Sequence, residues 1–182
     1  MAVYVLVDCS GSMGGDRIAQ ASQAAAVITN ALMEVNIPVA CAGFSTKNKD
    51  VTHIQAKTYE QTQTYCLSMF ADAENRDGFS IRLAASELLK RPEDQKILFV
   101  LSDGLPSHCH YDFYYGRPGA IDTAEAVREA QRQGITVIGL FFGAAVNFRT
   151  YQFMFPEAVF AIHAANLEPI LARTIKTLLE KE

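Results

Sequence analysis

Three oxygen-bearing side chains, those of Asp8, Ser10 and Ser12, stand at alternate positions near the start of the chain. They follow a short apolar segment directly and are separated by small residues. A chain that leaves a buried strand and turns at once in this way aims all three side chains at one point beyond the strand, where open parallel sheets bind their ligands. Carboxylate and hydroxyl oxygens suit a hard cation, so this spacing predicts a magnesium site, with manganese or calcium as alternatives.

Two further polar turns extend this candidate site. Asp103 comes just after an apolar run at residues 96–101, and Asn75 and Asp77 precede a helical pattern. In a doubly wound sheet these turns lie at the same carboxyl end as the first one, so their side chains can converge. Each turn alone is typical of ordinary turn chemistry, but their joint occurrence favours a metal site. The predicted ligands are Asp8, Ser10, Ser12 and Asp103, completed by Asn75 or Asp77.

The elements that position these turns follow from the hydrophobic periodicity. Near-continuous apolar runs predict buried strands at residues 2–7, 37–44, 96–101 and 135–142, with a short hairpin-edge strand at 51–56 and a last strand at 158–162. Apolar residues that recur every three or four positions predict helices from residue 16, around 81–89, at about 122–133, at 148–155 and at 167–179. The alternation predicts an α/β fold with a doubly wound, mostly parallel six-stranded sheet, one short antiparallel edge strand and helices on both faces, in a single domain, 1–182.

The composition excludes several function classes. A chain of 182 residues buries a full core without a metal, so any bound metal is expected to be functional. With 16 basic and 20 acidic residues the net charge is -4 and no basic run occurs, which argues against nucleic-acid and membrane partners. The four cysteines form no CxxC pair and indicate free thiols in a reducing compartment. Because no signal-like or membrane-spanning stretch is visible, we expect a cytoplasmic location.

The motif Asp8-Cys9-Ser10-Gly11-Ser12, taken with Asp103, resembles the metal-ion-dependent adhesion site of von Willebrand factor A (vWA) domains. The resemblance covers the whole chain. It implies that the two serines bind the cation directly and that the aspartates act largely through water. It also implies a protein partner whose glutamate or aspartate fills the vacant position on the metal.

The middle loop departs from the usual family pattern, which has Thr-x-Thr where this chain has Asn75 and Asp77. This variant, together with the run from Tyr115 to Thr123, resembles an intracellular subgroup found in the cobaltochelatase subunit of cobalamin biosynthesis and in nitric-oxide-reductase activation proteins. The resemblance implies a domain that works beside an AAA+ ATPase subunit in metal insertion or complex remodelling. By this interpretation the chain is a non-catalytic part of a chelatase-like complex.

The substitution in the middle loop has an electrostatic consequence. Two carboxylates roughly neutralise a divalent ion, but a third at Asp77 leaves the site net negative. If Asp77 binds the metal, we expect higher cation affinity and a weaker grip on an acidic partner than at a threonine site.

Other interpretations of the motifs remain. The same cation site would serve a hydrolase that activates water, and a structural vWA module would keep the fold without using the site. An aspartyl phosphatase is disfavoured because Ser10 stands where a second aspartate is needed, and neither a nucleophile elbow nor a phosphate-binding glycine loop occurs. His108-Cys109-His110 lies in a predicted long loop at residues 105–119 and is expected to be solvated without metal. The aromatic residues of that loop, Tyr111, Phe113, Tyr114 and Tyr115, are expected to contact a partner rather than to pack back on the domain.

Overall fold

The computed structural model describes residues 1–48, 50–62, 69–104, 106–108 and 114–160, with the backbone alone at 108 and 160. Its strands are β1 (Ala2–Asp8), β2 (Val39–Lys47), β3 (Asp50–Lys57), β4 (Lys96–Ser102), β5 (Ser107–His108), β6 (Tyr114–Tyr115), β7 (Ile135–Phe141) and β8 (Ala158–Phe160). Its helices are α1 (Asp16–Glu34), α2 (Asp77–Leu89), α3 (Arg117–Arg132) and α4 (Phe148–Met154), with short 3-10 turns at Gly11–Met13 and Ala145–Asn147.

Six strands form one sheet in the order β3-β2-β1-β4-β7-β8, and β5 pairs with β6 in a separate two-stranded ribbon. All neighbours in the large sheet are parallel except β2 and β3, which form an antiparallel hairpin at one edge. β1 lies inside the sheet and is buried along its whole length, because it is covered on both faces. The predicted mostly parallel sheet with one antiparallel edge strand is confirmed.

The two faces of the sheet carry separate cores. Val3, Val5 and Val7 point to the face covered by α1, whereas Tyr4 and Leu6 point to the face covered by α2 and α3. This division follows from the two-residue alternation of side chains along a strand. Asp8 continues the second set, so its carboxylate emerges on the α2 side at the carboxyl end of the strand.

The beginning of α3 corrects the sequence prediction. The helix was expected from about residue 122 but begins at Arg117. Gly116 caps it with a φ of 66°, and Pro118 stands in its first turn. Proline is tolerated there because the N–H groups of the first turn have no acceptor within the helix. The predicted loop at residues 105–119 therefore ends earlier, and it contains the β5–β6 ribbon in its described part.

Some predictions fall outside the described residues: the closing helix at 167–179, the end of the last strand, and the side chains of the His108-Cys109-His110 loop. Tyr111 and Phe113 lie there as well. The expectation that Tyr114 contacts a partner is wrong, because its side chain is only 6% exposed, whereas Tyr115 is 69% exposed. Cys9 and Cys41 are buried free thiols. Within the described ranges, none of the helices is long and apolar enough to cross a bilayer.

Candidate metal centre

The strand register places the first and third polar turns side by side. β1 and β4 pair in parallel up to Val7 and Leu101, so Asp8 and Ser102 are the next residues on their strands. Both side chains are fully buried, and Ser102 Oγ donates to Asp8 Oδ2 at 2.8 Å. The backbone N–H of Ser10 donates to Asp8 Oδ1 at 2.8 Å. Asp8 is thereby fixed at the carboxyl end of two neighbouring strands.

The middle loop is attached to its surroundings by backbone hydrogen bonds. Asp72 N–H donates to the carbonyl of Cys9 at 2.8 Å, and Gly11 N–H donates to the carbonyl of Ala73 at 2.9 Å. Glu74 and Thr46 exchange hydrogen bonds in both directions. These contacts hold the middle loop against the first turn and the end of β2, so the convergence expected from the topology is observed.

The serines of the first turn join the aspartate of the third turn. Ser10 Oγ lies 3.1 Å from Ser12 Oγ, and Ser12 Oγ donates to Asp103 Oδ1 at 3.2 Å. Arg17 Nη1 donates to the other oxygen, Asp103 Oδ2, at 3.2 Å and to the carbonyl of Ser12 at 2.7 Å. Gly104 completes the turn with a φ of 87°, and a side chain there would meet Phe141 at 2.8 Å.

Asn75 and Asp77, either of which was predicted to complete the metal site, have different surroundings. The N–H of Ser107 donates to Asn75 Oδ1 at 2.9 Å, which assigns the amide orientation. Asn75 Nδ2 then points to Asp8 Oδ2 at 3.3 Å and to Asp77 Oδ1 at 2.9 Å. The second oxygen of Asp77 is buried and has no hydrogen-bond partner within the described residues. Asp77 therefore offers an unused oxygen, whereas the oxygen of Asn75 is engaged.

The carboxylates of this cluster are costly to ionise together. Burial raises the pKa of Asp8 from its ordinary value of 3.8 to about 6, and the charge of Asp103 adds to this rise. Burial, followed by the charge of Asp8, raises the pKa of Asp77 well above its usual range. Buried like charges have this effect because the low-dielectric interior disfavours each ionised form. A divalent cation would reverse the effect by compensating the negative charges.

The residues present fit a hard divalent cation. Within the described chain, His, Cys, Asp and Glu side chains form no group of three arranged as a metal site on their own. The serine hydroxyls are therefore needed to complete a donor set. Carboxylate and hydroxyl oxygens match magnesium, calcium or manganese rather than a soft metal. The unpartnered oxygen of Asp77, in a side chain only 1% exposed, is the group that most needs such a ligand.

Three contributors were missed at the sequence level: Ser102, Arg17 and the pair of Tyr114 with Asp122. The hydroxyl of Tyr114 donates to Asp122 Oδ2 at 2.6 Å and accepts from Gly78 N–H at 3.2 Å. Gly78 follows Asp77 in the first turn of α2, so Tyr114 holds the backbone next to this site residue. A sequence signal existed only for Ser102, which adjoins Asp103, and for Arg17, which lies five residues after Ser12.

Removing the hydroxyl of Tyr114 is expected to destabilise the domain. Tyr114→Phe leaves the buried N–H of Gly78 without its acceptor, so the free energy of unfolding should fall by about 1–3 kcal/mol. Urea unfolding measures the change. Tyr115→Phe, on the exposed neighbour, is the matched control and should leave stability within about 0.5 kcal/mol of wild type. Equal effects of the two substitutions would show that the Tyr114 hydroxyl does not support α2.

Comparison with known proteins relates this chain to a domain family and to individual proteins. The profile of the von Willebrand factor type A domain family matches residues 2–168. The uncharacterized protein YojO of Bacillus subtilis is 30% identical over 194 residues, which cover 97% of this chain and 30% of that protein. Protein NorD of Stutzerimonas stutzeri is 33% identical over 110 residues, which cover 57% of this chain and 18% of that protein. The chain thus spans less than a third of the length of either relative.

Solved structures show the same fold at low sequence identity. The vWF domain of the type V pili tip protein Mfa5 from Porphyromonas gingivalis superimposes with a TM-score of 0.74 at 12% identity, covering 97% of this chain and 95% of that one. The SpRpn10 VWA domain gives a TM-score of 0.60 at 12% identity, with 91% and 92% covered.

Proposed function

Because this chain belongs to the von Willebrand factor type A domain family, we propose that it is a magnesium-dependent protein-interaction domain. Manganese or calcium are the alternative ions. The observation that carries the proposal is the convergence of three loops, which brings the oxygens of Asp8, Ser10, Ser12, Asp77 and Asp103 into one hydrogen-bonded cluster with Asn75. One oxygen of Asp77 has no hydrogen-bond partner in the part of the chain that the structure describes, and this supports a cation at this place.

Each residue of the cluster has a distinct part in this proposal. Ser10, Ser12 and Asp77 would hold the ion through their oxygens, and Asp8 and Asp103 would supply charge around it. Asn75 would orient Asp8 and Asp77 through its amide, because its own oxygen is engaged by Ser107. The bound ion would supply a positively charged coordination position for a carboxylate of a partner protein.

The wider setting that we propose is a complex driven by a separate ATPase. The partial similarity to protein NorD and the Asn75-Arg-Asp77 variant of the middle loop support an activation or chelatase-like system with an AAA+ subunit. The cobaltochelatase subunit of cobalamin biosynthesis is the other form of this hypothesis. The buried free thiols of Cys9 and Cys41 accord with the cytoplasm as its location. In this setting the domain recognises a protein and the ATPase performs the work.

Ser12→Ala tests the cation site with little risk to the fold, because Ser12 is exposed. The substitution removes one donor oxygen and its hydrogen bond to Asp103, so we expect magnesium binding to weaken by about tenfold in titration calorimetry. Ser86→Ala, at an exposed serine of α2, is the matched control and should bind magnesium as wild type does. The same magnesium affinity in all three proteins would remove Ser12 from the site.

Capture of partners from a native lysate tests the interaction itself. We expect wild type to retain a protein partner with magnesium and to release it with a chelator, and Ser12→Ala to retain less of it. Retention of the partner in the presence of the chelator would favour a structural vWA module. The remaining alternative, a hydrolase that uses the same ion, predicts phosphatase or nuclease activity with magnesium or manganese that Ser12→Ala reduces.

A further inference from the structure

Arg17 lies beside the proposed cation site, and only some of its hydrogen-bond donors are engaged by the described residues. Its Nη1 donates to Asp103 Oδ2 at 3.2 Å and to the carbonyl of Ser12 at 2.7 Å. The other two guanidinium nitrogens make no hydrogen bond to the described residues, and the side chain is 44% exposed. A guanidinium carries donors in a fixed fork that matches a carboxylate. One edge of this fork is thus directed to the site and the remaining donors are available.

Arg17 also affects the net charge of the cluster. Asp8, Asp77 and Asp103 carry three negative charges when ionised, and one divalent cation leaves the site net negative. Such a site repels an acidic partner, and the cause is the third carboxylate, Asp77, which the middle loop contributes. Arg17 cancels the remaining charge through its ion pair with Asp103. Because it is anchored to the same aspartate that Ser12 contacts, its position relative to the cluster is fixed.

We propose that Arg17 is the second half of a carboxylate receptor: a partner's glutamate or aspartate places one oxygen on the bound cation and the other on the free donors of Arg17. This inference rests on the proposed function, since it requires the cation. It assigns the specificity for acidic side chains to an arginine outside the three metal-binding loops. An arginine at this position makes a site with three carboxylates compatible with an acidic partner.

A simple alternative is that Arg17 only neutralises Asp103. The two hypotheses differ in what they predict for substitutions. A neutralising residue acts through its charge alone, so Arg17→Lys should bind the carboxylate ligand as wild type does. A receptor residue acts through its forked donors, so Arg17→Lys should weaken binding of the carboxylate ligand although the charge is kept. Removing its positive charge should leave magnesium binding unchanged or strengthen it by up to about tenfold, because a repulsion of the cation is lost.

The test uses the 182-residue chain and two probes, magnesium alone and a blocked Gly-Glu-Gly peptide. Calorimetry measures the magnesium affinity of wild type, Arg17→Gln and Arg17→Lys. NMR titration of the magnesium-saturated proteins then measures the peptide affinity. Arg128→Gln, at an exposed arginine of α3, is the matched control for the loss of one positive charge. A blocked Gly-Gln-Gly peptide controls for the carboxylate.

We expect Arg17→Gln to bind the glutamate peptide about fivefold or more weakly, the size expected for a half-exposed charge-assisted hydrogen bond, while its magnesium affinity does not fall. Arg17→Lys should be intermediate, because it keeps the charge and loses the fork. Equal peptide affinity in wild type and Arg17→Gln would overturn the inference, as would wild-type peptide affinity in Arg17→Lys or a parallel loss of magnesium and peptide affinity. Absence of magnesium binding in wild type would instead contradict the proposed function.

Discussion

Asp77→Asn is expected to make the cation-free domain more stable than wild type and to remove most of its stabilisation by magnesium. The wild-type carboxylate is buried, and one of its oxygens has no hydrogen-bond partner within the described residues. Folding must therefore either bury a charge beside Asp8 or take up a proton from neutral solution. Asparagine avoids both costs and keeps an oxygen for the hydrogen bond from Asn75.

The expected size of this effect is large in both directions. Relief of the cost of ionising or protonating this buried carboxylate should raise the free energy of unfolding by about 1–3 kcal/mol without cations. A ligand at one hundred times its dissociation constant stabilises the folded state by about 2.7 kcal/mol, and Asp77→Asn should lose most of that gain. The order of stabilities is thus expected to reverse when magnesium is added. Thermal unfolding in a chelator and in saturating magnesium measures both effects.

The control for this experiment is Asp72→Asn in the same loop. Its carboxylate is 79% exposed and only 4.0 Å from Lys47, so the substitution should change neither stability nor the magnesium response by more than about 0.5 kcal/mol. If Asp77→Asn destabilises the cation-free domain, the buried carboxylate is not a source of strain. An undiminished magnesium response would exclude Asp77 as a ligand.

The sheet could be predicted from the sequence because its strands are covered on both faces. Strands buried on both faces have near-continuous apolar sequences, as in β1 and β4. Apolar residues at helical spacing between the strands indicate the helices that connect parallel strands. The first turn of the candidate site was predicted together with the other two. Each polar turn alone is typical of turn chemistry, but three of them at one end of the sheet favour a metal site.

The parts that the sequence did not specify depend on contacts between distant segments. The difference between Asn75 and Asp77 comes from the N–H of Ser107, which donates to the oxygen of Asn75 and not to that of Asp77. No local pattern marks that contact, because the two residues belong to different loops. The burial of Tyr114 is similar: its hydroxyl is held by Asp122 and by the N–H of Gly78. An aromatic run without periodicity gave no sign of which ring points inward.

The beginning of α3 was missed for a different reason. The predicted loop at residues 105–119 included Gly116, Pro118 and Gly119, which are turn-forming residue types. In the structure Gly116 takes a positive φ and Pro118 fills the first turn. Gly119 then allows close packing, since a side chain there would meet Pro106 at 2.8 Å. Two of these three residues therefore mark the start of the helix, and the third serves its packing.

The last prediction is that pH has opposite effects on stability with and without magnesium. In the cation-free domain, burial raises the pKa of Asp8 from 3.8 to about 6, and the pKa of Asp77 also rises. The folded state then holds protons that the unfolded state releases between these values. The contribution of each group is full below its unfolded pKa and is lost as pH rises through the folded one. For Asp8 this amounts to about 3 kcal/mol.

Lowering the pH from 7.5 to 5 should therefore increase the stability of the cation-free domain. Saturating magnesium should reverse the slope, because the ion binds the ionised carboxylates and protons compete with it. The two curves are expected to approach each other as pH falls below about 6, where magnesium binding is lost. Urea unfolding at a series of pH values, in a chelator and in magnesium, gives both curves. Asp77→Asn should flatten the slope in the chelator, since one of the two protonating groups is gone. Parallel curves in the two conditions would mean that magnesium does not bind these carboxylates.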